Sequence, residues 1–409
     1  MLRRTSHARS SARLFRLAWQ AACIVLLVAA SAKPAHAYAW MIGHGYTQCG
    51  QCHVDPSGSG ALTRYGHTIA DSLLRTRYAW DRDDANAPEL GNFLFGALEL
   101  PEQFDFGGDV RALSLHTKAE NSALQARFIW MQLEAKASIQ DGPFVASATL
   151  GYSPEGALGA ALSRNLDSTV VSREHWLGLY LDESHGTLLR AGRMNVPFGI
   201  RSIEHTLWAR SYTGTDINDQ QQFGVAATFV GERFRGELMA IAGSFQIRPD
   251  VFRQRGFSGY AEYSLTPRFA IGVSSRIVHL ELDPRVLREE WKHAHGTFGR
   301  WSTPWEPLVL LSEWDYVFES PKYLPRRKGL VGYLQADIEA TQGVHFMGTL
   351  EANAVSTVSS PASFGAWLSY AWFFAPHADL RLDNIYQSFG SSAGRTGALS
   401  FLVQGHLSL

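Results

Sequence analysis

Hydrophobic and polar residues alternate with a period of two along most of the chain, from about residue 104 to the C-terminus. Between residues 126 and 139, for example, Ile129 and Leu133 lie on one face of the pattern, whereas Glu134 and Lys136 lie on the other. Because successive side chains of a strand point to opposite faces, this alternation predicts strands with one apolar and one polar face. The chain is therefore expected to have an all-β fold.

About sixteen such strands are predicted. They lie near residues 106–117, 125–138, 143–152, 174–182, 185–193, 222–230, 233–243, 258–265, 268–280, 296–302, 307–318, 328–340, 343–355, 363–374, 377–387 and 397–409. The connections after even-numbered strands are short and rich in turn residues, whereas those after odd-numbered strands are usually longer. An even strand number with short turns on one rim and long loops on the other is typical of outer-membrane barrels. We therefore expect residues 104–409 to form an antiparallel transmembrane β-barrel. The alternative is a soluble β-sandwich, in which loop length is not expected to depend on whether the preceding strand is odd or even.

The polar face of these strands carries carboxylates that would point into the barrel. They are Glu134, Glu313, Asp315, Asp337, Glu339, Asp379 and Asp383. Acidic groups that line a pore favour cations over anions, so this face predicts a cation preference. The alternative is that the charges only keep the lumen hydrated.

Two long connections suggest more specific roles. Residues 202–222 are rich in charged and aromatic side chains, among them Glu204, His205, Trp208, Arg210, Asp216 and Asp219. One interpretation is a loop that folds inward as a constriction, and the alternative is a solvated loop. Residues 284–295 contain potential metal ligands, namely Glu289, Glu290, His293 and His295. Their spacing is compatible with metal binding on a helix-like loop, and again a solvated loop is the alternative.

The composition changes this picture once the first 37 residues are considered separately. They contain a basic start, an apolar run at 17–32 and the sequence Ala35-His36-Ala37, which together form the pattern of a cleaved secretory signal. We expect cleavage before Tyr38; a retained membrane anchor is the alternative. Cleavage would remove six basic residues and no acidic ones, and the formal net charge would change from −1 to −7. An acidic mature chain of this kind argues against a nucleic-acid partner.

Just inside the expected mature N-terminus, Cys49-Gly50-Gln51-Cys52-His53 has the C-x-x-C-H pattern of c-type haem attachment. Two thiols three residues apart can each form a thioether with the porphyrin, and the histidine that follows can serve as the proximal axial ligand of the iron. A dithiol redox pair and a zinc site are the alternatives. The former would need a βαβ context and the latter two further ligands. The motif predicts one covalently bound haem c, held by Cys49, Cys52 and His53.

The residues around the motif predict a small α-helical cytochrome module at 38–80, followed by a linker at 81–103. Leu62, Tyr65, Ile69 and Leu73 recur at helical spacing, which predicts one short helix over a haem face. For the distal ligand of the iron the local candidates are Met41, His44 and His67, with His44 preferred; an open sixth position is also possible.

A signal peptide, one C-x-x-C-H motif near the mature N-terminus and a barrel to the end of the chain resemble the fused monohaem cytochrome–porin family, whose best-known members are outer-membrane iron oxidases. The haem segment 46–66 is also similar to that of uncharacterised outer-membrane cytochromes. The stretch 41–46 differs from the aromatic-Ala-Arg-Gln-Thr-Gly stretch typical of the iron oxidases. The resemblance therefore implies haem and porin, and leaves the electron donor open.

Together these features predict an exported electron-transfer protein in the outer membrane of a Gram-negative bacterium. Its partners would be outer-membrane lipid, a periplasmic electron carrier and an extracellular redox partner such as a metal ion. If the chain is an enzyme, the expected reaction is oxidation or reduction of an extracellular metal. The alternative function is a diffusion porin in which the haem module is a plug or a sensor.

Overall fold

Most of the chain forms one closed antiparallel β-barrel in a computed structural model. The structure describes residues 39–46, 48–78, 92–98, 100–152, 170–202, 204, 206–247, 249–357, 361–392 and 394–409. The predicted signal peptide at 1–37 lies outside the described residues, and so do residues 81–91 of the predicted linker.

Sixteen strands form the barrel, and each pairs with its neighbours in the sequence. They are β1 (Phe104–Ala119), β2 (Gln125–Asp141), β3 (Phe144–Tyr152), β4 (Val170–Tyr180), β5 (Thr187–Met194), β6 (Gln222–Val230), β7 (Phe234–Gly243), β8 (Arg255–Thr266), β9 (Phe269–Leu280), β10 (Glu290–Ser302), β11 (Leu308–Pro321), β12 (Arg327–Thr341), β13 (Val344–Asn353), β14 (Ser363–Ala375), β15 (Ala378–Ser391) and β16 (Gly394–Ser408). Pairing of β1 with β16 closes the sheet, with Asp109 opposite Ser408 and Ala119 opposite Ala398. The predicted number of strands and their antiparallel order are confirmed.

The connections also follow the predicted parity. Every connection after an even-numbered strand is short, for example 142–143 and 342–343, and the two longest, 153–169 and 195–221, follow odd-numbered strands. Two predictions were wrong: β10 begins at Glu290, six residues before the strand expected at 296–302, and the connection after β15, expected at 388–396, has only residues 392–393. Among the described residues, no helix has the length and apolarity that a membrane-spanning helix needs.

The two faces of the barrel wall differ as the alternation predicted. In β9, Val273 is 57% exposed on the outer face, whereas Ser274 and Arg276 are buried on the inner face. The exposed large side chains are mostly Leu, Phe, Trp and Tyr, and the buried inner positions are largely charged or polar. The wall thus combines an apolar exterior with a polar lumen, as outer-membrane barrels do.

Short helices occur among the described residues, mostly before the barrel. They are α1 (Ala39–Gly43), α2 (Arg64–Ile69), which continues into one π-helical turn (Ala70–Leu74), α3 (Trp208–Thr213) and the 3₁₀ turns Cys49–Gln51, Phe93–Gly96 and Asp250–Phe252. We call the described residues of 39–78 the N-terminal segment.

The N-terminal segment lies inside the barrel and packs on its inner wall. Its Ile42 belongs to a buried cluster with Leu311 of β11 and Tyr333 of β12. Its Val54 belongs to a second cluster, which includes Trp176 of β4. The apolar interior of the molecule is therefore formed between the wall and inserted chain.

Candidate functional site

The C-x-x-C-H motif forms a tight turn within the N-terminal segment. The amides of Cys52 and His53 both donate to the carbonyl of Cys49, at 3.1 and 2.8 Å. Residues 49–51 are a 3₁₀ turn, and side chains three residues apart in such a turn lie above one another. The turn therefore places the two thiols on one side.

The chain then reverses and returns to the motif as α2. A bridge joins His53 to Leu62, and the Thr63 amide donates to the Cys52 carbonyl at 2.8 Å. The backbone of α2 approaches the motif so closely that a Cβ on Gly66 would lie 2.2 Å from the carbonyl oxygen of Cys52. Only glycine permits this approach, which fixes the helix against the motif. A short helix, Arg64–Ile69, therefore follows the motif, and its role in covering a haem stays a prediction.

Buried charges hold the turn after the motif against the wall. The Asp55 carboxylate pairs with Arg190 of β5 at 2.5 Å, and neither side chain is exposed. Arg190 also pairs with Glu237 of β7 at 2.5 Å. Ser59 of the same turn donates to Glu174 of β4. Two strands, β4 and β5, therefore bind this turn through polar groups, and β7 supports the contact through Arg190.

A second set of contacts holds the end of the segment at the rim with the short turns. Gln342, in the turn between β12 and β13, donates to the carbonyls of Ser72 and Arg75 at 2.8 and 3.0 Å. The Tyr78 hydroxyl donates to the Phe374 carbonyl at 2.9 Å. The segment is thus anchored both within the lumen and at its short-turn rim.

A cavity of about 800 Å³ separates the segment from one part of the wall. On the segment it is lined by Cys49, Cys52 and His53, so the three residues predicted to bind haem face one space. On the wall it is lined by inner positions of β15, β16, β1 and β2. Along β1 these run from Asp109 to Thr117, about 26 Å at the usual rise per residue. The cavity therefore extends over most of the height of the barrel.

Burial controls the protonation of these groups. It raises the pKa of the Cys52 thiol to about 11, and the neighbouring Cys49 adds to the increase. Burial also raises the pKa of Cys49. It lowers the pKa of His53 to about 4, with the cationic Lys136 adding to the decrease. His53 is therefore neutral at pH 7, and its buried Nδ1 has no hydrogen-bond partner among the described residues. A neutral imidazole is the form that binds metal.

The three candidates for the distal ligand lie in different places. Met41 and His67 both line the cavity, whereas His44 does not. Nε2 of His44 lies 2.8 Å from Oε2 of Glu339 on β12, and this interaction raises the pKa of His44. The placement of His44 thus argues against the preference for it, and favours Met41 or His67.

The residues predicted to form a helix face over the haem are Leu62, Tyr65, Ile69 and Leu73. Of these four, only Leu62 lines the cavity.

Residues 195–221, which we call the inward loop, also enter the lumen. Arg210 pairs with Glu313 of β11, and the amide of Trp208 donates to Glu351 of β13 at 3.0 Å. Arg201 pairs with Glu237 at 2.5 Å. These contacts favour the interpretation that this loop folds inward over the solvated-loop alternative, although residues 203 and 205 lie outside the described residues.

The predicted carboxylates do face the lumen, and six of the seven lie beside a basic side chain. Three pair with arginine, namely Glu134 with Arg173, Glu313 with Arg210 and Asp383 with Arg381. Three lie beside histidines, which are charged only when protonated, namely Asp337 beside His345, Glu339 beside His44 and Asp379 beside His406. The arginine pairs weaken the argument for a cation preference, because the sequence reasoning considered only the acidic residues of the inner face. The arginines of the strands, such as Arg381, occupy inward positions of the same period-two pattern as the carboxylates, so the pattern itself contained the signal for these ion pairs.

The predicted metal-binding loop at 284–295 was wrong. Residues from Glu290 onward form β10, so Glu290 points into the lumen while His293 and His295 point outward. Glu289 pairs instead with Lys322 at 2.7 Å. No group of three or more potential ligand residues occurs in the part of the chain that the structure describes.

A closed sixteen-stranded barrel with short turns on one rim has the fold of the outer-membrane porins, and solved structures share this fold. OmpT of Vibrio cholerae is 9% identical at a TM-score of 0.57, with 76% of this chain and 99% of OmpT covered. The outer membrane channel DcaP of Acinetobacter baumannii is 8% identical at 0.55, with 76% and 99% covered. The anion-selective porin from Comamonas acidovorans is 12% identical at 0.55, with 75% and 99% covered. These low identities establish the fold alone. No protein-family model and no curated protein matches the chain.

Proposed function

We propose that this chain is an outer-membrane electron-transfer protein with one haem c attached to Cys49 and Cys52 and ligated by His53. The observation that carries the proposal is the coincidence of motif and cavity: both thiols and a neutral, buried imidazole line one space of about 800 Å³. The orphaned Nδ1 of His53 also fits a ring held in place for a ligand. A bound haem would supply a reversible one-electron change.

The position of the segment suits transfer across the membrane. In outer-membrane barrels the short turns face the periplasm. The contact between Gln342 and Ser72 at the short-turn rim supports a position of the segment on the periplasmic side, where a periplasmic electron carrier could reach it. The cavity continues along β1 toward the longer connections, where an extracellular donor or acceptor such as a metal ion would approach. Buried pairs such as Asp55–Arg190 would keep the cofactor at a fixed position between the two partners.

The test compares the native protein with a Cys49→Ser/Cys52→Ser variant, both purified from outer membranes. We expect haem staining and a reducible c-type spectrum for the native protein only. Liposomes containing each protein, with an oxidant inside and a reductant outside, should exchange electrons only in the native case. His53→Ala should lose the native spectrum, whereas His293→Ala, which changes an outward-facing histidine, should retain it. Absence of haem from the native protein, or equal electron exchange by the double-serine variant, would overturn the proposal.

A second candidate is a diffusion porin in which the N-terminal segment acts as a plug. The likeness of the barrel to an outer membrane channel and to an anion-selective porin favours it. This function predicts solute flux that does not depend on Cys49 or Cys52. Single-channel conductance and liposome swelling, measured on the same two proteins, distinguish the candidates. Large and equal currents without haem-dependent electron exchange would favour the porin.

A further inference from the structure

The cavity beside Cys49 and Cys52 is lined by five arginine and lysine side chains, and four of these are neutralised by carboxylates. The pairs are Arg75 with Asp71, Lys136 with Asp109, Arg173 with Glu134 and Arg381 with Asp383. The fifth is Arg111 of β1. Its Nε is buried and has no hydrogen-bond partner within the described ranges.

Arg111 lies close to the haem-binding residues. It follows Asp109 by two positions on β1, so both side chains point inward, and both line the cavity. Asp109 and Lys136 are the wall charges that act most strongly on His53. In the ladder between β1 and β16, the backbone of Arg111 lies opposite that of His406. Arg111 is therefore two residues along β1 from Asp109, one of the charges that act on His53.

The cavity changes character on either side of Arg111. On the side of Asp109 its wall is charged. On the other side the wall continues with Leu113 and Leu115 of β1 and with Leu402 of β16. A ligand that fits both regions has a flat apolar body and a carboxylate at its edge. Arg111 is half-buried, but its Nε–H is removed from water without an acceptor. A carboxylate could accept a charge-assisted hydrogen bond from this group.

We propose that Arg111 binds a carboxylate in this cavity, and that this carboxylate is a propionate of the haem attached at Cys49 and Cys52. The inference rests on the proposed function and adds a residue that orients the cofactor and tunes its potential. The Arg111 cation would favour the reduced iron, which carries one positive charge less, and it would keep the propionate ionised. Since Arg111 has no protein partner in the described chain, its loss leaves no carboxylate of the barrel unpaired.

The experiment measures the reduction potential of the holoprotein between pH 5 and 8. For Arg111→Gln we expect bound haem, a folded barrel and a lower potential. The equilibrium constant for reduction should fall roughly tenfold, which is about 59 mV for one electron. The potential should also become more pH-dependent, because the propionate would titrate closer to neutrality. Arg111→Lys should restore most of the potential. Arg276→Gln, which removes an inner-face arginine that does not line this cavity, should leave the potential and its pH dependence unchanged.

Two results would overturn the inference. One is an Arg111→Gln protein whose potential and pH dependence match those of the native holoprotein and of Arg276→Gln. The other is evidence that Arg111 binds a diffusing carboxylate and no propionate. In that case added succinate would change the current through the native barrel, Arg111→Gln would abolish this response, and the reduction potential would be the same in both proteins. A native protein without haem contradicts the proposed function itself, so the two failures are distinguishable.

Discussion

Two parts of the chain enter the lumen, and ion pairs with the wall hold both of them. In the N-terminal segment Asp55 pairs with Arg190 of the wall, and in the inward loop Arg210 pairs with Glu313. Each insert also has a pair of the opposite polarity, His44 with Glu339 and Glu204 with Arg381. The segment carries the haem motif and is fixed at one end by β1, whereas the loop is fixed at both ends by strands. The difference between the inserts is therefore one of covalent attachment, and the segment depends more on its ion pairs.

The largest expected effect comes from Arg190→Leu, which removes the wall partner of the segment. Neither Arg190 nor Asp55 is exposed, and breaking a buried pair from one side costs about 3–5 kcal/mol. Glu237 keeps its contact with Arg201, so the damage should concentrate on the segment. We expect the segment to undock, which limited proteolysis of the folded barrel would detect as new cleavage between residues 39 and 78.

The control for this variant is Arg300→Leu, which removes a buried arginine that pairs with Glu262 of the wall. It should destabilise the barrel without exposing the segment to protease. Combining Arg190→Leu with Asp55→Asn should cost less than the sum of the separate changes, since both remove the same pair. Protection of the segment in Arg190→Leu equal to that in the native protein would contradict the role given to this pair.

The corresponding change in the inward loop, Arg210→Leu, should have a smaller effect. Glu313 would still accept a hydrogen bond from the Ile200 amide at 2.7 Å, and the loop remains covalently held at both ends. We expect a loss of about 1.5–3 kcal/mol, the range for a hydrogen bond to a charged group. Denaturant unfolding would measure the loss, and single-channel recordings should show more frequent openings. A larger loss than that of Arg190→Leu would reverse the comparison.

The pattern of the strands could be predicted from the sequence because alternation is a local property. The number of strands and the parity of the connections followed from it. The start of β10 was missed because three of its first four residues, Glu290, Lys292 and His293, are charged or polar. Such a composition is also typical of a solvated loop.

The contacts of the lumen could not be predicted in the same way. Asp55 and Arg190 are 135 positions apart in the chain, and no local pattern joins them. The same reason explains the preference for His44: it is close to the motif in sequence, but it pairs with Glu339 and does not line the cavity. The haem motif itself was visible because its three residues are consecutive or nearly so, and it still stands as a prediction.

A substitution inside the segment, Gly66→Ala, tests how closely α2 must approach the motif. The added Cβ would lie 2.2 Å from the Cys52 carbonyl oxygen, so the helix has to move away from the turn. We expect a cost of about 1–3 kcal/mol, as for other overpacked sites, and a reduced yield of haem-containing protein on stained gels. Gly405→Ala is the matched control, because nothing lies within 4 Å of its added Cβ. Equal haem yields for both variants would show that the close approach is dispensable.

The smallest expected effect is a pH dependence that belongs to the segment and not to the inward loop. The hydrogen bond with Glu339 raises the pKa of His44 in the folded protein above its usual value of 6.5. A raised pKa contributes stability that is fully present below pH 6.5 and is lost as the pH rises through the folded value. Both side chains are partly exposed, so the contribution should be about 0.5 kcal/mol. Protease cleavage of the segment should therefore increase slightly between pH 6 and 8. His44→Gln should remove this dependence while cleavage of the inward loop stays unchanged in both proteins; a pH dependence that persists in His44→Gln would assign it to another group.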